Sequence, residues 1–477
     1  MPEPSARDPR DGLPPPWPLD ELATIRRLAR GRTLVVLDDD PTGTQTVRDV
    51  PVLTLPGIGE LGRLLAARVP ALFILTNSRS LPARAAEALA RRLGRTIATE
   101  SNRTGRRVSV VSRSDSTLRG HFPGEVDALA HGFGLQGART VLAPYFGDGG
   151  RITIDDVHYL VRNGHTVPVA ETEFARDAAF GYSASNLRAW IAMRGGGQAG
   201  IVSLSLDAIR AGGPDEVARI LAAAPQGSVC IANAAADGDI EVVAAGVLRA
   251  ERRGVPLIVR TAASYVRAAA GQPHHPLLVA AEIPVGRGPG LVVVGSHVAG
   301  TTRQLDALLA DAPCPVELIE LDADVAANAR RAGRLGRDAA ARAGTALARG
   351  RTPILATSRT PLGGDSSDAE DAGVRRSARI SATLVSVVRS LERRPAWVIA
   401  KGGITSSDVA TMGLGIRVAR VLGQVVPGVP VWRSGRGSRW PGLSLVVFPG
   451  NVGGDEDLRL VAATLVESGR PLGDPRT

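Results

Sequence analysis

The apolar run Leu34–Leu37 ends in three consecutive carboxylates, Asp38, Asp39 and Asp40, followed by Pro41-Thr42-Gly43-Thr44. A short apolar run predicts a strand buried on both faces, and the proline and glycine predict the turn that stops it. Adjacent acids repel one another, so without partners they work against folding. At the carboxyl end of a strand, where open α/β sheets take their ligands, the cluster predicts a site in preference to a solvated turn. Two further apolar runs end the same way. Ala71–Leu75 enters Thr76-Asn77-Ser78-Arg79-Ser80, and Val108–Val111 enters Ser112-Arg113-Ser114-Asp115-Ser116-Thr117-Leu118-Arg119-Gly120. The loops thus gather the acids Asp38–Asp40 and Asp115, the cations Arg79, Arg113 and Arg119, and the hydroxyls of Ser78, Ser114, Ser116 and Thr117. A small polyhydroxy acid needs this combination: guanidinium forks for the carboxylate, acids and hydroxyls for the alcohols, and one Asp to accept a proton. The competing role for Arg119 is a structural pair with Asp115 across one helical turn.

A second set of strand ends is small and glycine-rich: Gly295-Ser296, Lys401-Gly402-Gly403-Ile404-Thr405 and Gly450-Asn451-Val452-Gly453. Glycines let backbone approach an anion, and successive N–H groups hold phosphate oxygens. Lys401 is the single lysine among 57 basic residues. A compact ammonium beside such a loop is expected to reach the outer phosphates. The pattern G-x-x-x-x-G-K-[ST] is absent, as is a G-x-G-x-x-G after a strand. Metalloprotease, CxxC and nucleophile-elbow patterns are absent too.

Apolar runs alternate with helical segments in front of these loops, the βαβ rhythm of a parallel, doubly wound sheet. The fold class expected is α/β: two doubly wound domains with mainly parallel sheets and a cleft between them. Residues 1–18, rich in Pro, Arg and Asp, are expected to be disordered. Residues 19–270 form the first domain, 271–290 a Pro/Gly linker and 291–477 the second. The more irregular span from Gly149 to Tyr182 reads as an insertion with hairpin turns, and an acidic loop at Gly363–Asp371 is expected to be exposed. His274 and His275 are adjacent, a poor spacing for one metal, and read as solvated linker residues.

Composition sets outer limits. The chain has 477 residues, 44% hydrophobic and 22% charged, which suits two or three globular domains. Its formal charge is +10, yet the arginines are dispersed and basic patches interleaved with aromatics are missing, which disfavours nucleic acid. Cys230 and Cys314 lie far apart, without disulfide-framework or metal-ligand spacing. No apolar run is of membrane-spanning length, and a cytoplasmic location is expected.

The motifs resemble those of the four-carbon acid sugar kinase family, over nearly the whole chain after residue 30. Asp39-Asp40-Pro41-Thr42-Gly43 matches its Asp-Asp-x-Thr-Gly, and Asp115–Gly120 matches its Asp-Ser-Thr-Leu-Arg-Gly. The stretches 157–159, 167–169 and 171–177 are similar as well. The three glycine loops match its Gly-Ser, Gly-Gly-x-Thr and Gly-Asn-x-Gly motifs. Arg113 stands where many members carry Lys, and Val298 where many carry a second Ser. The resemblance implies a substrate-binding N-terminal domain and a nucleotide-binding C-terminal domain. It implies an ATP-dependent kinase that phosphorylates a hydroxyl of a tetronate or 3-oxo-tetronate, with ATP and Mg²⁺ as cofactors. Asp40 is the base expected, with Asp39 as alternate. Thr42, Gly43, Arg79, Arg113, Asp115, Ser116 and Arg119 would bind the acid. Ser296, Lys401, Gly402, Gly403, Ile404, Thr405, Gly450, Asn451 and Gly453 would bind ATP, and the metal ligands stay unassigned. Partners expected are the small sugar acid and ATP, with no nucleic acid and no membrane, and a homo-oligomer stays open. The rival readings are a non-catalytic sugar-acid sensor and, with less support, a dinucleotide-dependent dehydrogenase.

Overall fold

The computed structural model describes residues 8–162, 164–328, 330–358 and 367–470. The chain divides into two units, Met1–Val47 with Gly59–His274, and Arg48–Ile58 with His275–Thr477. Each contains parallel strands alternating with helices, as the alternation of apolar runs and helical segments predicts.

In the first unit the chain opens on β1 (Arg32–Asp38); β2 (Pro51–Thr54) then belongs to the second unit. The first sheet continues with β3 (Ala71–Leu75), β4 (Arg107–Arg113) and β5 (Arg139–Ala143). Strands β6 (Arg151–Ile154), β7 (Val157–Arg162) and β8 (His165–Pro168) form a separate antiparallel sheet. That sheet occupies the span expected to be an insertion. Strands β9 (Ile201–Leu204), β10 (Val229–Ala232) and β11 (Leu257–Thr261) complete the main sheet, in the order β3-β1-β4-β11-β5-β10-β9, all parallel. From β1 the chain crosses to β3 on one side, and from the adjacent β4 to β5 on the other. Crossovers are right-handed, so opposite directions put their helices on opposite faces and open a crevice beyond the ends of β1 and β4.

The helix Ala83–Thr104 in the β3–β4 crossover shows why these elements form. Its buried residues Ala86, Leu89, Ala90, Leu93, Gly94 and Ile97 recur every three or four positions, and Gly105, at φ +63°, ends it in a left-handed cap. It lies close against the helix Gly124–Phe133: a Cβ on Gly94 would stand 2.6 Å from the Leu129 carbonyl oxygen. Residues 1–7 lie outside the described residues, whereas residues 8–18 are held in place. Trp17 donates to Glu21 at 2.9 Å, and Arg210 donates to the Pro14 carbonyl at 2.6 Å.

The second unit contains β12 (Leu291–Val294), β13 (Val316–Leu321), β14 (Thr352–Thr357), β15 (Trp397–Lys401), β16 (Val418–Val426), β17 (Val429–Ser434) and β18 (Ser444–Phe448). Their order is β13-β14-β12-β15-β18-β17-β16-β2. The run from β13 to β18 is parallel, and β17, β16 and β2 are antiparallel to their neighbours. Here β12 crosses toward β13 on one side and the adjacent β15 leads to β16 on the other, so a second crevice lies beyond β12 and β15. The expected acidic loop at Gly363–Asp371 lies outside the described residues up to 366; Ser367 starts a helix reaching Ser390. Among the described residues no helix is long and apolar enough to cross a membrane.

Residues 48–58 are built into the second unit. Thr54 donates its hydroxyl to the Ile416 carbonyl at 2.7 Å, and a Cβ on Gly57 would meet the Arg417 carbonyl oxygen at 2.0 Å. Gly57→Ala forces that backbone apart and should destabilise the second unit by about 1–3 kcal/mol. Urea unfolding followed at Trp397 and Trp432, both buried there, checks this; an unchanged midpoint contradicts it.

Candidate functional site

Asp39, just beyond β1, is 2% exposed and is the hub of the first crevice. Arg79, from the loop after β3, donates to its Oδ1 at 2.6 Å and reaches Asp40 at 3.4 Å and Asp115 at 4.0 Å. The Ser114 hydroxyl donates to Asp39 at 3.1 Å, and Arg113 donates to Asp38 at 3.2 Å. Asp40 accepts from the Thr42 amide at 2.9 Å and the Thr42 hydroxyl at 2.6 Å, capping the short 3-10 turn Pro41–Thr44. Gly43 lies under this turn because a Cβ there would fall 2.1 Å from the Asp38 carboxylate. Asp115 accepts from the Thr117 hydroxyl and from Arg119 at 2.7 Å, and Arg119 also donates to Asp177 at 3.3 Å. No helical turn carries the Asp115–Arg119 pair: Leu118 (φ +68°) and Gly120 (φ +113°) make a left-handed loop instead. Ser116 is buried and presents its carbonyl to His158 Nε2 at 2.8 Å.

These contacts separate the acids electrically. Burial alone would raise Asp40, but Arg79 and the Thr42 hydrogen bonds bring it below the usual carboxylate range. Asp115 is likewise depressed against burial by Arg79 and Arg119. Asp38 goes the other way: burial, with the charges of Asp39 and Asp40 added, lifts it to about 7 despite Arg113. Asp40 keeps 21% of its side-chain surface and Asp39 only 2%, so Asp40 is the acid of this pair open to a ligand.

Two residues of the crevice were not among the sequence candidates, and a third had no assigned role. Arg260, inside β11, donates to Ser114 at 2.6 Å and stacks on Phe122. Glu125 accepts from Ser78 at 2.5 Å and is lifted by burial to about 7. Asp38 belongs to the acidic triplet but had been given no role. A cation in the apolar run Leu257–Thr261 was the available signal for Arg260; Glu125 sits in an ordinary helix and gave none.

In the second unit, Gly295, Ser296, Gly402, Gly403, Ile404, Thr405 and Gly450 line one cavity of about 270 Å³, closed on another side by His297, Ile380, Ser381 and Leu384. A Cβ on Gly295, Gly402 or Gly450 would intrude on the cradle. One on Gly295 would stand 2.1 Å from Thr405 Oγ1, and one on Gly450 2.8 Å from Ser296 Oγ; Gly402 adopts φ +121°. A backbone cradle with an apolar wall of Ile380, Leu384 and Ile404 fits a nucleotide: polar for phosphates, apolar for a base. Asn451 and Gly453 do not line this cavity. For Mg²⁺, no group of three or more His, Cys, Asp or Glu among the described residues is placed to hold a metal.

Lys401, expected to reach a phosphate, does not line this cavity. It is the last residue of β15, paired with Phe448 of β18, and is fully buried over that ring at 3.8 Å. Its Nζ donates to the Pro449 carbonyl at 2.6 Å and the Val452 carbonyl at 3.3 Å. The ammonium is therefore spent on holding the Pro449–Val452 loop that supplies Gly450. Burial pulls it down to about 7 from its ordinary 10.5. Between these values the unfolded chain binds more protons, so the lysine's contribution to stability rises with pH across that window. The stability difference between wild type and Lys401→Met should accordingly grow from pH 7 to pH 10. Thermal unfolding across pH checks this, and a difference independent of pH contradicts it.

Comparison with known proteins agrees with this geometry. Residues 34–269 match the model of a sugar-binding N-terminal domain, and residues 291–458 that of a nucleotide-binding C-terminal domain. A crystal structure described as a candidate tRNA synthase from Salmonella typhimurium LT2 is 17% identical over 90% of this chain and 98% of that one, with a TM-score of 0.64. A Haemophilus influenzae protein is 17% identical over 90% and 100%, with a TM-score of 0.60. At that identity both show the shared fold. No match to a curated protein was found. With both domain models matched in order and the motif loops gathered at the two crevices, the chain belongs to the four-carbon acid sugar kinase family.

Proposed function

We propose that the protein is an ATP-dependent kinase that phosphorylates a hydroxyl of a four-carbon sugar acid, of the tetronate or 3-oxo-tetronate type. The observation that carries this reading is the ionised, partly exposed Asp40 beside Arg79, in a crevice that also offers Asp115 and Arg119. The matched sugar-binding and nucleotide-binding domains support it.

The chain's own groups would do the following. Asp40 accepts the proton of the substrate hydroxyl as its oxygen attacks. A depressed carboxylate is a weak base, but phosphoryl transfer proceeds through a loose transition state that asks mainly for positioning and charge neutralisation. Thr42 fixes the carboxylate's direction, and Arg79 keeps it ionised. Asp39, buried and saturated by Arg79 and Ser114, holds Arg79 in place. The cradle of Gly295, Gly402 and Gly450 would receive the nucleotide phosphates through backbone groups. Mg²⁺ arriving with ATP would be held by phosphate oxygens and water, and would neutralise charge on the transferring group.

Incubation with Mg-ATP and a panel of erythronate, threonate and 3-oxo-tetronate stereoisomers should release ADP with at least one acid. ATP and acid binding without ADP would make the protein a sensor instead. Asp40→Asn should lower turnover by about two to four orders of magnitude with ATP affinity little changed. Turnover within threefold of wild type would remove Asp40 from the role.

A further inference from the structure

Arg151 opens β6, on the small antiparallel sheet. Its backbone is tied to the chain just beyond β5: its N–H donates to the Phe146 carbonyl at 2.9 Å, and Phe146 N–H donates back at 3.0 Å. The intervening turn is fixed by Gly150 (φ +70°), where a Cβ would lie 2.4 Å from the Val161 carbonyl oxygen. The side chain is therefore held at the carboxyl edge of the main sheet, where Asp115 and Arg119 also stand.

Its surroundings are unusual for a guanidinium. The Phe174 ring lies against both Arg119, whose Cζ is 5.3 Å from the ring centroid, and Arg151, at 5.6 Å. Nearby carboxylates are already engaged: Asp115 and Asp177 by Arg119, and Glu173 by Arg162 at 2.7 Å. Among the described residues none stands within ion-pair distance of Arg151. Its Nη1 donates to the Gly149 carbonyl, and its Nε is sealed from solvent without any partner. Burial pulls its proton affinity down. The charges of Asp115 and Glu173 are felt from a distance, but a half-buried cation fixed against an aromatic ring with no carboxylate in contact is costly unless an anion completes it.

We propose that Arg151 is the anchor for the substrate's carboxylate, and that Arg119, already paired with Asp115 and Asp177, serves as its positioning neighbour through Phe174. The inference rests on the sugar-acid reading above and sharpens it. A planar fork held by Phe174 suits a carboxylate bidentately, while Asp40 and Asp115 are left to the hydroxyls. The prime specificity is then for the acid over the neutral four-carbon polyol, which keeps those hydroxyls and has an uncharged hydroxymethyl group in place of the carboxylate.

The test compares wild type with Arg151→Gln and Arg151→Lys, using calorimetric titration with tetronate, with the neutral polyol and with ATP, alongside turnover. Arg151→Gln should weaken tetronate binding roughly 10- to 100-fold and bring it to the level of the polyol, with polyol and ATP affinities unchanged. Arg151→Lys, which keeps the charge and loses the fork, should fall between. If the glutamine variant fails to fold, the lysine variant decides. Tetronate affinity within threefold of wild type in the folded variant overturns the proposal, while wild-type phosphorylation of the acid leaves the kinase reading standing. Wild type that binds no four-carbon acid overturns both.

Discussion

Arg79 joins three strand ends at one point, holding Asp39 at 2.6 Å and reaching Asp40 at 3.4 Å and Asp115 at 4.0 Å. Without that cation, three adjacent carboxylates could not end a buried strand. Removing one partner of a buried pair leaves an uncompensated charge, at a cost on the order of 3–5 kcal/mol. The rest of the first crevice follows from this pairing. Arg113 takes Asp38, Ser114 takes the second oxygen of Asp39, and Arg260 takes Ser114 in turn. Of the acids gathered here, charge neutralised from within leaves Asp40 and the edge of Asp115 open to a ligand.

Topology explains why the chemistry collects where it does. In each unit, two adjacent parallel strands send their crossovers in opposite directions, β1 and β4 in one, β12 and β15 in the other. Side chains must then fill the gap beyond the strand ends, and the chain fills the two gaps with opposite materials. The first receives charged and hydroxyl groups that match a polar acid. The second receives glycines whose missing Cβ atoms leave room for backbone to face an anion. Lys401 belongs to this second logic as a strut: it bonds two loop carbonyls and does not face the cavity.

Much of this was legible in the sequence. The apolar runs ending in Asp38, Arg79 and Arg113 marked strands and loops correctly, because a strand buried on both faces leaves no alternation to misread. The doubly wound class followed from their spacing. Strand order was not legible, since pairing β1 with β4 and β12 with β15 depends on contacts distant in the chain. Lys401 was placed on the right loop, but side-chain direction at the end of β15 is set by its pairing with Phe448, which spacing does not reveal. An Asp115–Arg119 pair was legible from the four-residue interval, but the helix was not real, because Leu118 and Gly120 take left-handed conformations. Arg151 was hidden in a span read as an irregular insertion with hairpin turns, to which no site residue was assigned. The alternation Ile152/Ile154 after Gly149-Gly150 was the trace of β6.

The most direct test of the division of labour is amide hydrogen exchange of the whole protein, with ATP alone and with a four-carbon acid alone. The account predicts that ATP protects residues 295–297, 402–405 and 449–452, and that the acid protects 39–44, 114–120 and 146–152. Protection of the acidic crevice by ATP, or of the glycine loops by the acid, would contradict it.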